Sequence, residues 1–358
     1  MKYNSIKPGQ IWLDTEGKRI QAHGGSIIAV GDTFYWYGEN KEKTKVGSGI
    51  WHWGIRCYAS KDLYNWEDKG VIIPPDEDDI ASPLHPTQFV DRPHIIFNQR
   101  TGKFVCWIKV MRPDGQKSTI LISDHILGPY TIIKKDIRPL NMGAGDFDLV
   151  VGHDDKAYYY FERVHSELIC ADLTEDYTDV TGYYSTHFPN IQPPYVREAP
   201  AYFHRKGVHY LFTSGTTGYH PNPSEVACAQ SYHGPWKVLG NPHPDDPSCT
   251  SYNSQITSVF KHPFKKDLYI ALADRWMPNL PLLVREDFTN GQQYRKAAEI
   301  YKSIFNPEIN YEVKEEDQIA MSLDIDTSVS DYVWLPIRFV GEMAYLDWKD
   351  EWKVEDYD

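Results

Sequence analysis

Cysteine is scarce in this chain, and its five copies, Cys57, Cys106, Cys170, Cys228 and Cys249, are odd in number and far apart. No CxxC pair and no Cys/His cluster occurs, which excludes a zinc-ribbon protein and a disulfide framework. The thiols read as reduced, and several lie in apolar strand-like runs where free cysteine behaves as a small hydrophobe. Long apolar runs are missing as well: nothing approaches the roughly 18 residues of a membrane span, and the opening MKYNSIKPGQ has no apolar signal core. A cytoplasmic location fits, with secretion after removal of a signal peptide as the alternative. Positive charge is in deficit, with 37 Lys and Arg against 50 Asp and Glu and a formal charge of -13. No basic stripe is present to neutralise phosphates, so neither nucleic acid nor a membrane is an expected partner. Apolar spacing at the helical period is almost absent, which argues against a helical domain.

What the chain has in quantity is aromatic surface: 25 Tyr, 14 Phe and 11 Trp. Such side chains suit sheet faces and equally suit the flat faces of sugar rings. They recur in paired runs. Residues 33–38 (TFYWYG) precede 55–60 (IRCYAS), 103–108 (KFVCWI) precede 120–123 (ILIS), and 157–161 (AYYYF) precede 168–173 (LICADL). Residues 208–213 (VHYLFT) precede 226–231 (VACAQS), and a looser fifth copy joins 267–273 (DLYIALA) to 332–336 (YVWLP). Three copies end in a turn and an aromatic: Asp62-Leu63-Tyr64-Asn65-Trp66, Gly128-Pro129-Tyr130 and Gly234-Pro235-Trp236. Five repeats of short antiparallel strands predict an all-β, five-bladed β-propeller whose innermost strands converge on a central channel. A β-sandwich competes, but supplies no such repeated motif.

Hydrolysis of a glycosidic bond needs a protonated carboxyl for the leaving oxygen and a basic group for the water. Glu198, in Tyr195-Val196-Arg197-Glu198-Ala199-Pro200, has apolar neighbours downstream that would desolvate it and raise its pKa. Its bland alternative is a surface pair with Arg197. Asp146, in Gly145-Asp146-Phe147, would hold a proton on a nearby acid by like-charge repulsion, or would simply cap a turn. Asp91, before Arg92-Pro93-His94, is a candidate base or sugar-hydroxyl acceptor, or an ion-pair partner of Arg92.

Together these segments resemble glycoside hydrolase family 43, most of all its exo-β-1,3-galactanase branch. The resemblance rests on Ile20-Gln21-Ala22-His23-Gly24-Gly25, Tyr35-Trp36-Tyr37-Gly38-Glu39, Asp91-Arg92-Pro93, Asp146, Arg197-Glu198-Ala199-Pro200, Thr216-Thr217-Gly218, Ser254-Gln255 and Tyr332-Val333-Trp334-Leu335-Pro336. It runs from about residue 11 to 352, so residues 1–358 are expected to form one catalytic propeller without an appended carbohydrate-binding module. It implies inverting release of single sugars from non-reducing ends, here galactose from β-1,3-galactan, with Glu198 as acid and Asp146 as the modulating carboxylate. The base Asp of most members has no counterpart in Gln21-Ala22-His23-Gly24-Gly25. The galactanase branch shares that absence, and its resemblance offers Gln255 as the holder of the attacking water, facing Glu198 across roughly 6.5 to 9.5 Å as inversion requires. Asp91, where the branch usually has Glu, is the rival base.

Gln21, His23, Glu39, Thr217 and Tyr37 are candidates for binding sugar hydroxyls. Trp36, Tyr37, Trp51 and Trp53 either stack on a galactose face or fill the first blade. No cofactor and no metal-binding residue is required, although a structural calcium ion near the channel, with His23 as a ligand, fits some propeller glycosidases. The partner is an oligo- or polysaccharide. Rival functions are an α-L-arabinofuranosidase or β-xylosidase on the same fold, a sugar-binding propeller without catalysis, and a phosphorylase using His94 and Arg275.

Overall fold

The computed structural model describes residues 2–190, 192–280, 291–306, 308, 309, 312, 314 and 322–358. Strands follow one another in antiparallel groups of four: β1 (His23–Val30), β2 (Thr33–Glu39), β3 (Ile55–Ser60) and β4 (Glu67–Ile73) form blade 1. Blade 2 holds β5 (Phe89–Asn98), β6 (Lys103–Arg112), β7 (Gly115–Ser123) and β8 (Thr131–Ile137), and blade 3 holds β9 (Ala144–Val151), β10 (Ala157–Arg163), β11 (Glu167–Leu173) and β12 (Val180–His187). Blade 4 is β13 (Glu198–Arg205), β14 (Val208–Ser214), β15 (Glu225–Ala229) and β16 (Lys237–Gly240). Blade 5 pairs β17 (Gln255–Lys261) with β18 (Tyr269–Arg275), which β19 (Asp331–Tyr332) and β20 (Leu335–Pro336) complete. The fold is the five-bladed propeller that the repeats predict. Between β18 and β19 lies α1 (Gln292–Phe305), the only α-helix among the described residues, and the hairpin β21 (Arg338–Val340) and β22 (Met343–Tyr345) follows the last blade.

In blade 5 the paired runs visible in the sequence are β18 and the edge pieces β19 and β20, and in blades 1 to 4 they are the two middle strands. These are covered on both faces by neighbouring blades, so β10 (AYYYFER) is buried from Ala157 to Glu162 and reads as an unbroken apolar and aromatic run. Outer strands face water and carry no such signature; β12 (VTGYYSTH) is mostly exposed. The turn-plus-aromatic endings join third strands to fourth. In the first of them Asp62 Oδ1 accepts from the backbone of Tyr64 (2.9 Å) and Asn65 (2.8 Å), an Asx turn that delivers Trp66 into the core.

Five apolar clusters occupy the five seams between adjacent blades. The seam of blades 1 and 5 is the most aromatic, with Trp36, Trp66, Tyr332 and Trp334. The ring closes there, since Ile6 and Trp352 exchange backbone hydrogen bonds of 2.9 and 3.0 Å and Gly9 N–H donates to Tyr332 O at 2.7 Å. The five cysteines are free: four are buried and Cys249 is partly exposed.

One irregularity recurs at the head of every innermost strand. In β1, β5, β9 and β13, three register steps oppose two on the partner strand, and in β17 two oppose one. Each head is therefore a β-bulge, a device that re-aims side chains next to active sites. The residues there suit it: Gly24, Arg92 and Ala199 have φ of 62°, 53° and 48°. Pro93 and Pro200 follow two of them, where an N–H for the ladder is not needed.

Candidate active site

The bulged heads bring Asp91 and Arg92 (β5), Asp146 (β9), Glu198 (β13) and Gln255 (β17) together at one end of the axis. Arg92 lies between blades: Nη2 pairs with Asp146 Oδ2 at 2.9 Å and donates to Gln255 Oε1. Lys109, from β6, bridges Asp146 Oδ1 (2.8 Å) and Asp91 Oδ2 (3.1 Å). Trp51 Nε1–H donates to Asp91 Oδ1 at 2.7 Å. Gln255 Nε2 donates to Ser214 Oγ at 2.9 Å and to Glu198 Oε1 at 3.2 Å, while Trp276 Nε1–H reaches Gln255 Oε1 at 3.3 Å.

These contacts divide the carboxyls into two classes. Burial, reinforced by the charges of Asp146 and Glu162, pushes Glu198 well above the usual carboxylate range. Burial works in the same direction on Asp146, but Arg92 and Lys109 overcome it and hold this carboxylate far below its ordinary value. Asp91 is likewise kept ionised against burial by Lys109 and Lys41. A carboxyl raised above its usual range beside carboxylates held below theirs is the pairing that acid–base chemistry requires.

Aromatic rings wall the site. Trp51 packs on Phe89 (centroids 4.2 Å) and on Tyr219 (5.8 Å), and Tyr219 packs on Trp276 (5.3 Å). A cavity of about 470 Å³ opens from Trp51, Phe89 and Tyr219 towards Leu323 and Ile325.

The family model for glycosyl hydrolases family 43 matches residues 19–277, which contain every head described above. The chain belongs to family 43 of the glycosyl hydrolases, and it is a glycoside hydrolase. Similar solved structures include a family 43 β-1,3-galactosidase (27% identity, TM-score 0.79, 99% of this chain and 65% of that one). A second β-1,3-galactosidase, solved with galactodeoxynojirimycin, is 27% identical with a TM-score of 0.75 and coverages of 97% and 100%. An exo-β-1,3-galactanase from Clostridium thermocellum is 25% identical, with a TM-score of 0.73 and coverages of 98% and 66%. This family 43 chain thus spans about two thirds of the length of the first and third of these relatives. No curated protein sequence matches it.

Several sequence expectations are corrected by the placement of side chains in this family 43 enzyme. Gln255 does not face Glu198 across a gap: the two are hydrogen-bonded, with no space for a water between them. His23 is wholly buried, with Nδ1 2.9 Å from Asp274 and Nε2 3.2 Å from Tyr332 Oη, so it has no nitrogen left for a sugar or a metal. Among the described residues no group of three or more His, Cys, Asp or Glu is placed to hold an ion. Tyr37 bonds the backbone of Ile95 and lines a different cavity, of about 710 Å³, at the tails of the innermost strands. Thr217 is sealed in, donating to His220 O and accepting from Asn222 (2.7 Å). Gln21 is buried against Ser328 O (2.9 Å). Glu39 lies beneath the site, where its Oε2 meets Lys41 Nζ at 2.8 Å and its Oε1 accepts the Arg92 N–H at 2.9 Å. All five are buried supports in this structure; none is an open sugar ligand.

Arg197, offered as the partner of Glu198, instead bonds Thr213, and Arg92, offered as the partner of Asp91, pairs with Asp146. His94 is held by Asp148 (3.0 Å) and Arg275 by the carbonyls of Tyr252 and Asn253, so the two do not meet around a phosphate. Trp36 and Tyr37 are core, whereas Trp51 edges the site and Trp53 lies under Lys43. Sequence reasoning missed Lys109, whose one signal is a lone charge inside the apolar run KFVCWIKVM, and the loop aromatics Tyr219 and Trp276.

Proposed function

We propose that this enzyme releases galactose, with inversion, from the non-reducing ends of β-1,3-galactan, Glu198 protonating the leaving oxygen. The observation that carries the reading is the half-buried Glu198, pushed above the usual carboxylate range, in the same site as Asp146, which Arg92 and Lys109 hold charged. Two β-1,3-galactosidases among the similar structures support the choice of sugar, as does the lack of a carboxylate in residues 21–25. For the base we favour Asp91 over Gln255. The amide oxygen of Gln255 already accepts from Arg92 and Trp276, and an amide is a very poor proton acceptor. Asp91 is a carboxylate with lone pairs to spare beyond those used by Trp51 and Lys109. Its lowered pKa makes it a weak base, matched to a site where charge is already balanced by Lys109. Asp146 keeps Arg92 and Lys109 in place and adds negative charge next to the acid.

Incubation with β-1,3-galactan, aryl β-galactoside, aryl α-L-arabinofuranoside and aryl β-xyloside tests the substrate. Galactose should be the main product, appearing first as the α-anomer by NMR; faster turnover of the arabinofuranoside would overturn the reading. Azide tests the base: Asp91→Asn should be rescued with formation of an inverted galactosyl azide, whereas rescue of Gln255→Ala alone would move the role to Gln255.

A further inference from the structure

Away from the axial site, blades 3 and 4 bring a second set of reactive side chains together at the rim of the propeller. Ser185 and His187 stand two residues apart on β12, the outermost strand of blade 3, and so share one face of it. Asp172 comes from the adjacent strand β11, and His233 from blade 4, in the turn between β15 and β16. That turn is closed on itself: Gly234 N–H donates to Ser231 O at 3.1 Å, and Ser231 Oγ donates to Gly234 O at 2.6 Å. The rings of Tyr183 and Tyr158 stand edge-on to the imidazole of His233, at 4.9 and 5.9 Å, and hold it in place.

Hydrogen bonds run through the four residues in one line. Asp172 Oδ1 lies 2.7 Å from His233 Nε2, His233 Nδ1 lies 2.7 Å from Ser185 Oγ, and Ser185 Oγ lies 2.8 Å from His187 Nε2. The partners assign the donors. A carboxylate only accepts, so His233 Nε2–H donates to Asp172; with one proton on the ring, Nδ1 is a lone pair and the serine hydroxyl donates to it. Oγ then accepts from His187 Nε2–H, on a ring that burial, with His233 adding, keeps neutral by lowering it to about 4. A hydroxyl held by a base that a carboxylate orients is the arrangement that activates a nucleophile, whichever ring nitrogen faces it. The side chains of His233 and Asp172 are 20% and 30% exposed and Ser185 is half-buried, so the line is open to solvent.

We propose that Ser185 and His233, positioned by Asp172, form a second catalytic site that moves the acyl group of a small ester to Ser185 and then to water. Oγ attacks the carbonyl carbon as its proton passes to His233 Nδ1, and that proton goes to the alkoxide when the ester C–O bond breaks. Water then attacks the acyl-serine, giving a proton to the same nitrogen, and the acid departs as Oγ takes the proton back. His187 Nε2–H, beside Oγ, donates to the oxyanion of each tetrahedral stage. A serine on the face of an outer strand suits a short acyl group, and the exposed ring of Tyr183 offers a flat surface to the ring of a sugar or aryl alcohol.

4-Nitrophenyl acetate and a fluorophosphonate probe test the site. The probe should phosphonylate Ser185 with loss of fluoride, read by mass spectrometry of the digested protein. Ser185→Ala should lower turnover of the acetate at least about tenfold, and Asp172→Asn should lower kcat by a similar factor while keeping KM. Both should keep the melting temperature within a degree or two, since neither side chain belongs to an apolar cluster or to the axial site. Modification confined to other residues, or turnover by either variant equal to that of the wild type, would overturn the proposal.

Discussion

Desolvation, with the charge of Asp146 adding, raises Glu198 above the usual carboxylate range. The same arrangement sets the expected pH profile. A bell shape should appear, with its alkaline limb, deprotonation of Glu198, displaced well above the usual carboxylate range and its acid limb, protonation of Asp91, displaced below. Glu198→Gln preserves the shape and the hydrogen bond from Gln255 but has no proton to give. It should lose at least about a hundredfold on β-1,3-galactobiose while still binding it, and lose much less on an aryl galactoside with a good leaving group. Near-normal turnover of the disaccharide by the variant, measured by galactose release, would remove Glu198 from the acid's place. The residual activity on the aryl substrate should lack the alkaline limb, which ties that limb to this one group.

At the scale of the strand, the bulge at each inner head decides where these side chains point. Gly24 illustrates the tolerance. A Cβ there would strike Glu39 Oε1, the atom that accepts the Arg92 N–H, and its φ of 62° is one that L residues rarely adopt. Gly24→Ala should therefore lower the melting temperature by several degrees, equivalent to about 1–2 kcal/mol, and reduce activity by disturbing Arg92. Unchanged stability and kinetics would mean that the bulge relaxes around the methyl. The bulges also explain what could be read in advance and what could not. Middle strands announce themselves because both faces are covered, and Asp91-Arg92-Pro93 and Glu198-Ala199-Pro200 stand out because a proline inside a strand requires such a kink. The strand heads were thus legible as special positions. Their pairing was not: Arg92 is one residue from Asp91 yet turns to Asp146 in the next blade, since a bulge reverses the usual alternation. Nor could spacing reveal that His23, Thr217 and Tyr37 lie behind the site, because burial depends on neighbouring blades that are remote in sequence.

Across the whole molecule, many imidazoles are buried neutral. Burial lowers His52 to about 3 and His187, His209, His220, His243 and His262 to about 4. Each takes up a proton in the unfolded chain below its ordinary 6.5, but in the fold only near 4 or lower. Their contribution to stability is complete above 6.5 and is lost as pH falls towards 4. Glu39, raised by burial to about 7, and Glu198 and Asp331, also raised by burial, act in the opposite sense, but they are three groups against six. The melting temperature should fall between about pH 7 and 5 in calorimetry; a constant or rising value would show that the carboxyls dominate. Loosening should begin at the seam of blades 3 and 4, whose apolar cluster is the smallest and where His209 Nδ1 meets Tyr202 Oη at 2.6 Å.

The bulged heads carry one more consequence. Because the extra residue in each innermost strand is left out of the ladder, what it bears can be exchanged without breaking a rung. The propeller is in this respect a socket with five pins around one axis, each pin replaceable while the housing stays as it is. In this chain the first pin, between His23 and Ser26, bears two glycines, and the second, between Asp91 and His94, bears Arg92, which pairs with Asp146 on the third. New chemistry on such a frame needs a change of side chain, not of architecture.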